Sequence, residues 1–139
     1  MNHLERYRNG SKQEKHHLMT RFEKNLCIIY AVIALVALAA TWINNIAFFN
    51  QPQNGGALGF YYALYANPAT ASFTNDLLLY AISGCIFMAV EARRVGIRHA
   101  WIYILLSFLI AVSVMFPIFL IARQYEISRQ NSQELFPLK

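Results

Sequence analysis

NLCIIYAVIALVALAATWINNIAFF, residues 25–49, is a run of 25 residues without a charged side chain. A helix rises about 1.5 Å per residue and the hydrocarbon core of a bilayer is about 30 Å thick, so about 20 apolar residues can cross it. The run is too long for the apolar region of a cleaved signal peptide and lacks the small-residue exit of a cleavage site. It therefore predicts a membrane-spanning helix that is retained.

Two further apolar runs follow, at residues 68–95 and 100–122. The second run begins well for a helix, because Asn67 suits the N-cap and Pro68 suits the first helical position. Residues 57–66 hold four aromatic side chains and no charge but are too short to cross. The sequence therefore predicts an all-α integral membrane protein with three transmembrane helices plus a short interfacial helix before the second span.

The basic residues indicate an orientation, because Lys and Arg near span ends resist translocation. Six precede the first span, none lies in the loop after it, three lie in the turn after the second span and three follow the third. This count predicts a cytoplasmic N-terminus and a C-terminus outside. The predicted organisation is a cytoplasmic polar segment at 1–24, a three-helix membrane domain at 25–126 and a polar, mobile C-terminal tail at 127–139.

Composition excludes several classes of function. Hydrophobic residues make up 57% of the chain and charged residues 14%, more apolar than a soluble domain requires. The net charge of +5 comes from residues that flank the apolar runs, so we expect no nucleic-acid partner. Cys27 and Cys85 lie within apolar runs, and the four histidines lack metal-ligand spacing. The sequence thus indicates no catalytic residue set, no metal site and no evident cofactor.

Asp76 is the most informative polar residue, because it lies 15 residues before Glu91, about 22 Å along a helix. A charge at that depth costs at least a few kcal/mol and usually faces a partner or a polar cavity. Ser113 and Pro117 lie at the same calculated level of the third span, where Pro117 is expected to kink the helix. We expect Asp76 to face these two residues and Asn45. The alternatives are an Asp76 that contacts water at the outer interface and a kink that only shapes packing.

The segment that closes the second span carries a second candidate contact. Glu91 and Arg94 have the i, i+3 spacing of a helical ion pair. We expect this pair to anchor the helix end among lipid headgroups, with docking of a lipid or a protein partner as the alternative.

Short motifs occur in a set order along the membrane domain: Ala66-Asn67-Pro68, Asp76-Leu77, Glu91-Ala92-Arg93-Arg94-Val95-Gly96, Trp101, and Pro117 to Leu120 followed by Arg123. Together, over residues 25–126, they resemble a small bacterial membrane family, the domain of unknown function 2834. Ala92 stands where a glycine is more often expected. The resemblance implies three spans in a bacterial inner membrane but no activity, and it marks Asn67, Asp76, Glu91, Arg94 and Pro117.

Three functions are compatible with these residues. The favoured one is an accessory or scaffold subunit that packs against membrane partners or its own copies, surrounded by membrane lipids, or that holds a lipid or pigment. The alternatives are an enzyme acting on an isoprenoid-like lipophile and a small transporter or proton relay, each using Asp76. The candidate functional or packing contacts are Asn67, Asp76, Glu91, Arg94, Ser113 and Pro117.

Overall fold

The computed structural model describes residues 19–135, with side chains described for residues 19–133, and this part of the chain is all-α. It forms five helices, which are α1 (Arg21–Phe49), α2 (Gly56–Leu64), α3 (Pro68–Val95), α4 (Ala100–Leu109) and α5 (Val112–Leu135).

Among residues 19–135, α1 and α3 are long and apolar enough to cross a membrane. Only 6% of the most apolar stretch of α1 and 11% of that of α3 is buried inside the protein. A core helix of a soluble protein would be covered over most of its surface, because apolar side chains are driven out of water. A signal sequence would account for α1 alone, since α3 begins far from the N-terminus.

The loop and short helix between α1 and α3 follow from local chemistry. Asn54 closes the loop, because its side-chain amide donates to the carbonyls of Phe49 (2.8 Å) and Gln51 (2.7 Å). A side chain larger than glycine at position 59 would collide with the Asn54 carbonyl. The predicted short helix over residues 57–66 is present as α2, and its Phe60 ring packs at 5.3 Å from that of Phe48.

The ends of α3 agree with the sequence prediction. Asn67 is the N-cap, and its Oδ1 accepts hydrogen bonds from the backbone N–H groups of Ala69 and Thr70, both at 3.0 Å. Pro68 occupies the first helical position. Gly96 ends the helix in the left-handed conformation (φ 79°), which glycine adopts without the steric penalty of a Cβ.

The third predicted span, over residues 100–122, is not a single helix. It is divided into α4 and α5, because α4 ends at Leu109 with Ile110 as its C-cap, and the Ala111 carbonyl then accepts the first hydrogen bonds of a new helix from Val114 and Met115. Pro117 lies inside α5 and has no N–H to donate to the preceding turn. The prediction of three continuous spans is therefore not confirmed.

The chain reverses direction between α4 and α5, so these helices form a hairpin. Tyr103 of α4 and Phe119 of α5 pack ring against ring at 5.7 Å. Phe119 also joins Met88 and Ala92 of α3 in the buried core cluster. Gly84 of α3 is buried against α5, and a Cβ at this position would lie 3.7 Å from the Phe116 ring, an ordinary van der Waals distance.

Helix α5 returns to the end of the protein where α1 begins. The Gln124 side-chain amide donates to Glu23 Oε1 (2.9 Å) near the start of α1, and the Gln130 amide donates to the Val95 carbonyl (2.7 Å) at the end of α3. Among the described residues, the end of α5 therefore lies at the same end of the protein as the start of α1, whereas a third continuous span would have placed it at the opposite end. Residues 127–135, which we predicted as the first part of a polar tail, continue α5 as helix.

The hairpin is a little over one third as long as the two candidate spans. With a rise of about 1.5 Å per residue, α4 extends about 15 Å and α5 returns about 16 Å from Val112 to Arg123. The halves of α1 and α3 farthest from the hairpin base consequently have no hairpin helix beside them. The Lys and Arg residues of the described side chains all lie at the hairpin base, which we call the basic end: Arg21, Lys24, Arg93, Arg94, Arg98, Arg123 and Arg129.

Candidate functional site

A partly buried ion pair joins α3 to α5 at the basic end, where the Arg123 side chain is 31% exposed. The Glu91 side chain is 9% exposed, and its Oε1 accepts from Nε and Nη2 of Arg123, both at 2.7 Å. Glu91 follows Met88, and Arg123 follows Phe119, by about one helical turn, so the shared cluster of Met88 and Phe119 brings the two charged side chains level. The double contact of one guanidinium with a desolvated carboxylate is among the stronger protein hydrogen bonds.

The predicted Glu91–Arg94 pair is the weaker contact of this carboxylate. Arg94 Nη1 lies 3.7 Å from Glu91 Oε2, and the Arg94 side chain is 78% exposed. Sequence spacing identified this neighbour but missed Arg123, which lies 32 residues away in the chain. The sequence signals for Arg123 are its position directly after an apolar run and its place among the motifs that carry the resemblance. The contact between Glu91 and Arg123 therefore links α3 to α5.

Asp76 lies in a groove of about 620 Å³ between α2 and α3. The groove is closed on one side by hydrogen bonds between the helices, from the Tyr65 hydroxyl to Asn75 Oδ1 (3.1 Å) and from Thr74 Oγ1 to the Leu64 carbonyl (3.0 Å). Asp76 is exposed, and its carboxylate has no hydrogen-bond or ion-pair partner among the described side chains. The remaining lining is mainly apolar: Ala63, Leu64, Ala69, Thr70, Phe73, Thr74, Leu77 and Tyr80.

The structure does not join Asp76 to the residues that we expected it to face. Asn45, Ser113 and Pro117 neither line the groove nor hydrogen-bond to Asp76. Ser113 is exposed at the start of α5, whereas Pro117 is buried within it. The hairpin that carries Ser113 and Pro117 ends before it reaches the level of Asp76. Its tip lies beside Tyr80, about one turn from Asp76, where the rings of Tyr80 and Phe116 are in contact (6.4 Å).

Asn67 has an identifiable local role. Its side chain caps α3, and the Thr70 hydroxyl accepts a hydrogen bond from the Asn67 backbone N–H (3.2 Å), which completes a reciprocal capping box. This role accounts for the residue type without a ligand.

A cleft of about 700 Å³ at the basic end was not anticipated from the sequence. The α3–α4 turn forms one wall, with Arg98 and His99, and α5 forms the other. The part of α5 within the hairpin contributes apolar side chains, and the part below it contributes polar ones. The lining along α5 is Ile118, Ile121, Ala122, Tyr125, Glu126, Arg129, Gln130 and Gln133.

Comparison with known proteins identifies a family. Residues 29–125 match a family described as protein of unknown function DUF2834, and this match covers well over half of the chain. No curated protein and no solved structure matches the chain. The matched region begins within α1 and ends just after the Glu91–Arg123 pair, so it includes the groove, the partly buried ion pair and the hairpin. The chain therefore belongs to the DUF2834 family.

Proposed function

We propose that the protein is an accessory subunit of the bacterial inner membrane, which docks a larger membrane protein or its own copies through the outer half of α3. It crosses the bilayer twice, by α1 and α3, and inserts the α4–α5 hairpin from the cytoplasmic side without crossing. The start of α1 and the end of α5 then both lie in the cytoplasm.

The distribution of charge supports this orientation. All Lys and Arg residues of the described side chains lie at the basic end, and the opposite end holds none. Lys and Arg are retained on the cytoplasmic side of membrane proteins. The predicted outward C-terminus would have required Arg123 and Arg129 to be translocated. A hairpin that returns to its starting side keeps both residues with the other basic side chains.

The observation that carries the proposed docking role is the exposed, unpartnered carboxylate of Asp76. It lies about 22 Å along α3 from Glu91, within a hydrocarbon layer of about 30 Å. Its neighbours along the helix expose large apolar surfaces, with Phe73 at 81% and Leu77 at 57%. An acid directed into lipid beside such side chains costs at least a few kcal/mol, and polar groups in membranes commonly face a partner instead.

The groove itself favours docking over chemistry. Asp76 is its single acid, and Tyr80 is its only other titratable lining residue. A proton relay passes the proton along several titratable groups, and the groove offers only these two. The enzyme and transport alternatives therefore have one supporting residue each. A bound lipophile in the groove remains the alternative occupant that its apolar lining favours.

We expect reporter fusions after residue 20 and after residue 135 to give the same cytoplasmic signal. A cytoplasm-active fluorescent protein and a periplasm-active phosphatase at both sites measure this directly. A fusion in the loop between α1 and α2 is the control and should give the opposite signal. Phosphatase activity from the fusion after residue 135 would contradict the re-entrant hairpin.

We expect Asp76→Leu to release the protein from its complex, because the substitution removes both the charge and the hydrogen-bonding atoms of the contact. The measurement is the apparent mass of the tagged full-length protein in mild detergent extracts of its native membranes. Asp76→Asn separates the two contributions, since it keeps hydrogen bonding without the charge. Ser83→Leu is the matched control, because it places the same side chain at an exposed position of α3 that lies outside the outer half of the helix.

The two α3 variants distinguish the possible occupants. Loss of associated protein in Asp76→Leu with retention in Ser83→Leu supports docking at the groove. Loss of a co-purified lipophile instead would favour a ligand-holding protein. An unchanged complex and unchanged lipid content in Asp76→Leu would contradict the proposed docking role.

A further inference from the structure

We propose that the cleft at the basic end binds an anionic glycerophospholipid, with the headgroup phosphate at Arg98 and an acyl chain along the upper part of α5. This inference rests on the proposed membrane orientation and adds a defined ligand at the opposite end from Asp76. It concerns lipid bound in one place rather than the general lipid surroundings of the helices.

The lining changes from apolar to polar along the direction that a phospholipid would take. Ile118 and Ile121 lie within the hairpin, whereas Arg129 and Gln133 lie below its base. Ile118 and Arg129 are separated by 11 residues, which is about 16 Å along the helix. This separation is sufficient for a headgroup and the first part of an acyl chain. A water-soluble anion would use only the polar portion and leave the apolar portion unoccupied.

The charge of the cleft favours an anionic headgroup. Glu126 is its acid, and Arg129 lies 3.3 Å from the Glu126 carboxylate, so this pair is locally neutral. Arg98 has no ion-pair or hydrogen-bond partner among the described side chains and is exposed at the rim. Gln130 donates to the Val95 carbonyl and fixes the wall opposite Arg98. One uncompensated cation therefore faces the polar part of the cleft.

The position of the cleft relative to the bilayer also favours an anionic lipid. The cleft lies at the level of the Glu91–Arg123 pair and the start of α1, where the basic residues mark the cytoplasmic interface. The cytoplasmic leaflet is where anionic lipids concentrate, and basic pockets between membrane helices on that side bind their headgroups. Ile118 is 36% exposed, so the apolar part of the cleft opens toward lipid.

Lipid binding to the full-length protein, purified in mild detergent and stripped of lipid, tests this proposal. Phosphatidylglycerol and phosphatidylcholine with identical acyl chains are titrated separately, and the bound lipids are counted by native mass spectrometry. We expect phosphatidylglycerol to bind about fivefold to tenfold more tightly, since one basic residue near a headgroup contributes about fivefold. Arg98→Gln should remove most of this preference.

Three controls define the site. Arg94→Gln removes an exposed charge at the same end that does not line the cleft, and the lipid preference should stay within about twofold of the wild-type value. Ile118→Gln should weaken both lipids equally, because it alters the acyl-chain portion. Glycerol 3-phosphate, which has the charge without the chains, should not compete at lipid concentrations.

The inference would be overturned by equal binding of the two lipids, by equal losses in Arg98→Gln and Arg94→Gln, or by competition from glycerol 3-phosphate. These outcomes can be distinguished from results that would contradict the proposed membrane role. A protein that reconstitutes with both reporters on the cytoplasmic side but has no lipid preference contradicts the lipid site alone. A protein that is recovered without detergent contradicts the membrane role.

Discussion

Replacing Phe119 with alanine is expected to lower the free energy of unfolding by about 3 kcal/mol. Phe119 is fully buried, with 0% of its surface exposed, and it contacts α3 and α4 at once. Truncation removes the ring contacts with Tyr103 (5.7 Å) and Phe87 (6.5 Å) and leaves a cavity between helices that cannot fully collapse. This value is at the low end of the range for Phe→Ala substitutions in protein cores. We expect the low end because apolar surface gains less from burial when the alternative is contact with lipid than when it is contact with water.

Equilibrium unfolding of the purified protein in mixed micelles, followed by the loss of helical circular dichroism, measures this change. Phe108→Ala is the matched control, because it removes the same atoms from a hairpin side chain that is 73% exposed. We expect it to alter stability by less than about 0.5 kcal/mol. Similar losses for the two variants would mean that α5 does not pack between α3 and α4.

Replacing Arg123 with alanine is expected to destabilise the protein by about 2 to 3 kcal/mol, because removing one partner of a buried ion pair leaves an uncompensated charge and typically costs about 3–5 kcal/mol. The cost is reduced here because Arg94 lies 3.7 Å from the same carboxylate and can replace part of the interaction. The measurement is the same unfolding titration at neutral pH, where the carboxylate would be left without its main partner.

Two further variants separate the ion pair from simple loss of charge at this end. Arg94→Ala removes a side chain that is 78% exposed, and pairs in water contribute about 0–1 kcal/mol, so we expect a change below about 0.5 kcal/mol. The double variant Glu91→Gln with Arg123→Ala should recover part of the stability, because no charge is left buried. A greater loss in Arg94→Ala than in Arg123→Ala would contradict the assigned pairing.

The Glu91–Arg123 pair and the Phe119 core together hold the hairpin at the basic end. The pair fixes the end of the α5 segment that lies within the hairpin, and the core fixes the middle of that segment. Both contacts connect α5 to α3, while Gln124 connects it to Glu23 of α1. Helix α5 is therefore the element that joins the two candidate spans, although the hydropathy pattern predicted its first half as a span and its second half as a tail.

The site was predictable only where it depended on nearby residues. Asn67 was predicted as a cap because capping requires residues two and three positions away, and the structure shows that contact. Asp76 was singled out by its depth along a helix. The α2 side chains across the groove from Asp76 were not predicted. Their position depends on contacts between α2 and α3 such as the Tyr65–Asn75 hydrogen bond, which joins residues ten positions apart in the chain.

The sequence by itself determined the all-α class, the positions of α1 and α3, the short α2, and the cap and terminating glycine of α3. These features depend on hydropathy, helical rise and capping chemistry, which act within a few residues along the chain. Only the tertiary structure decided that residues 100–122 fold back at Ile110 and Ala111 and that Arg123 meets Glu91. An apolar run of this length is equally compatible with one helix surrounded by lipid and with a hairpin packed on its neighbours. The choice depends on contacts between residues far apart in the chain, such as Phe119 on Met88, which no local pattern encodes.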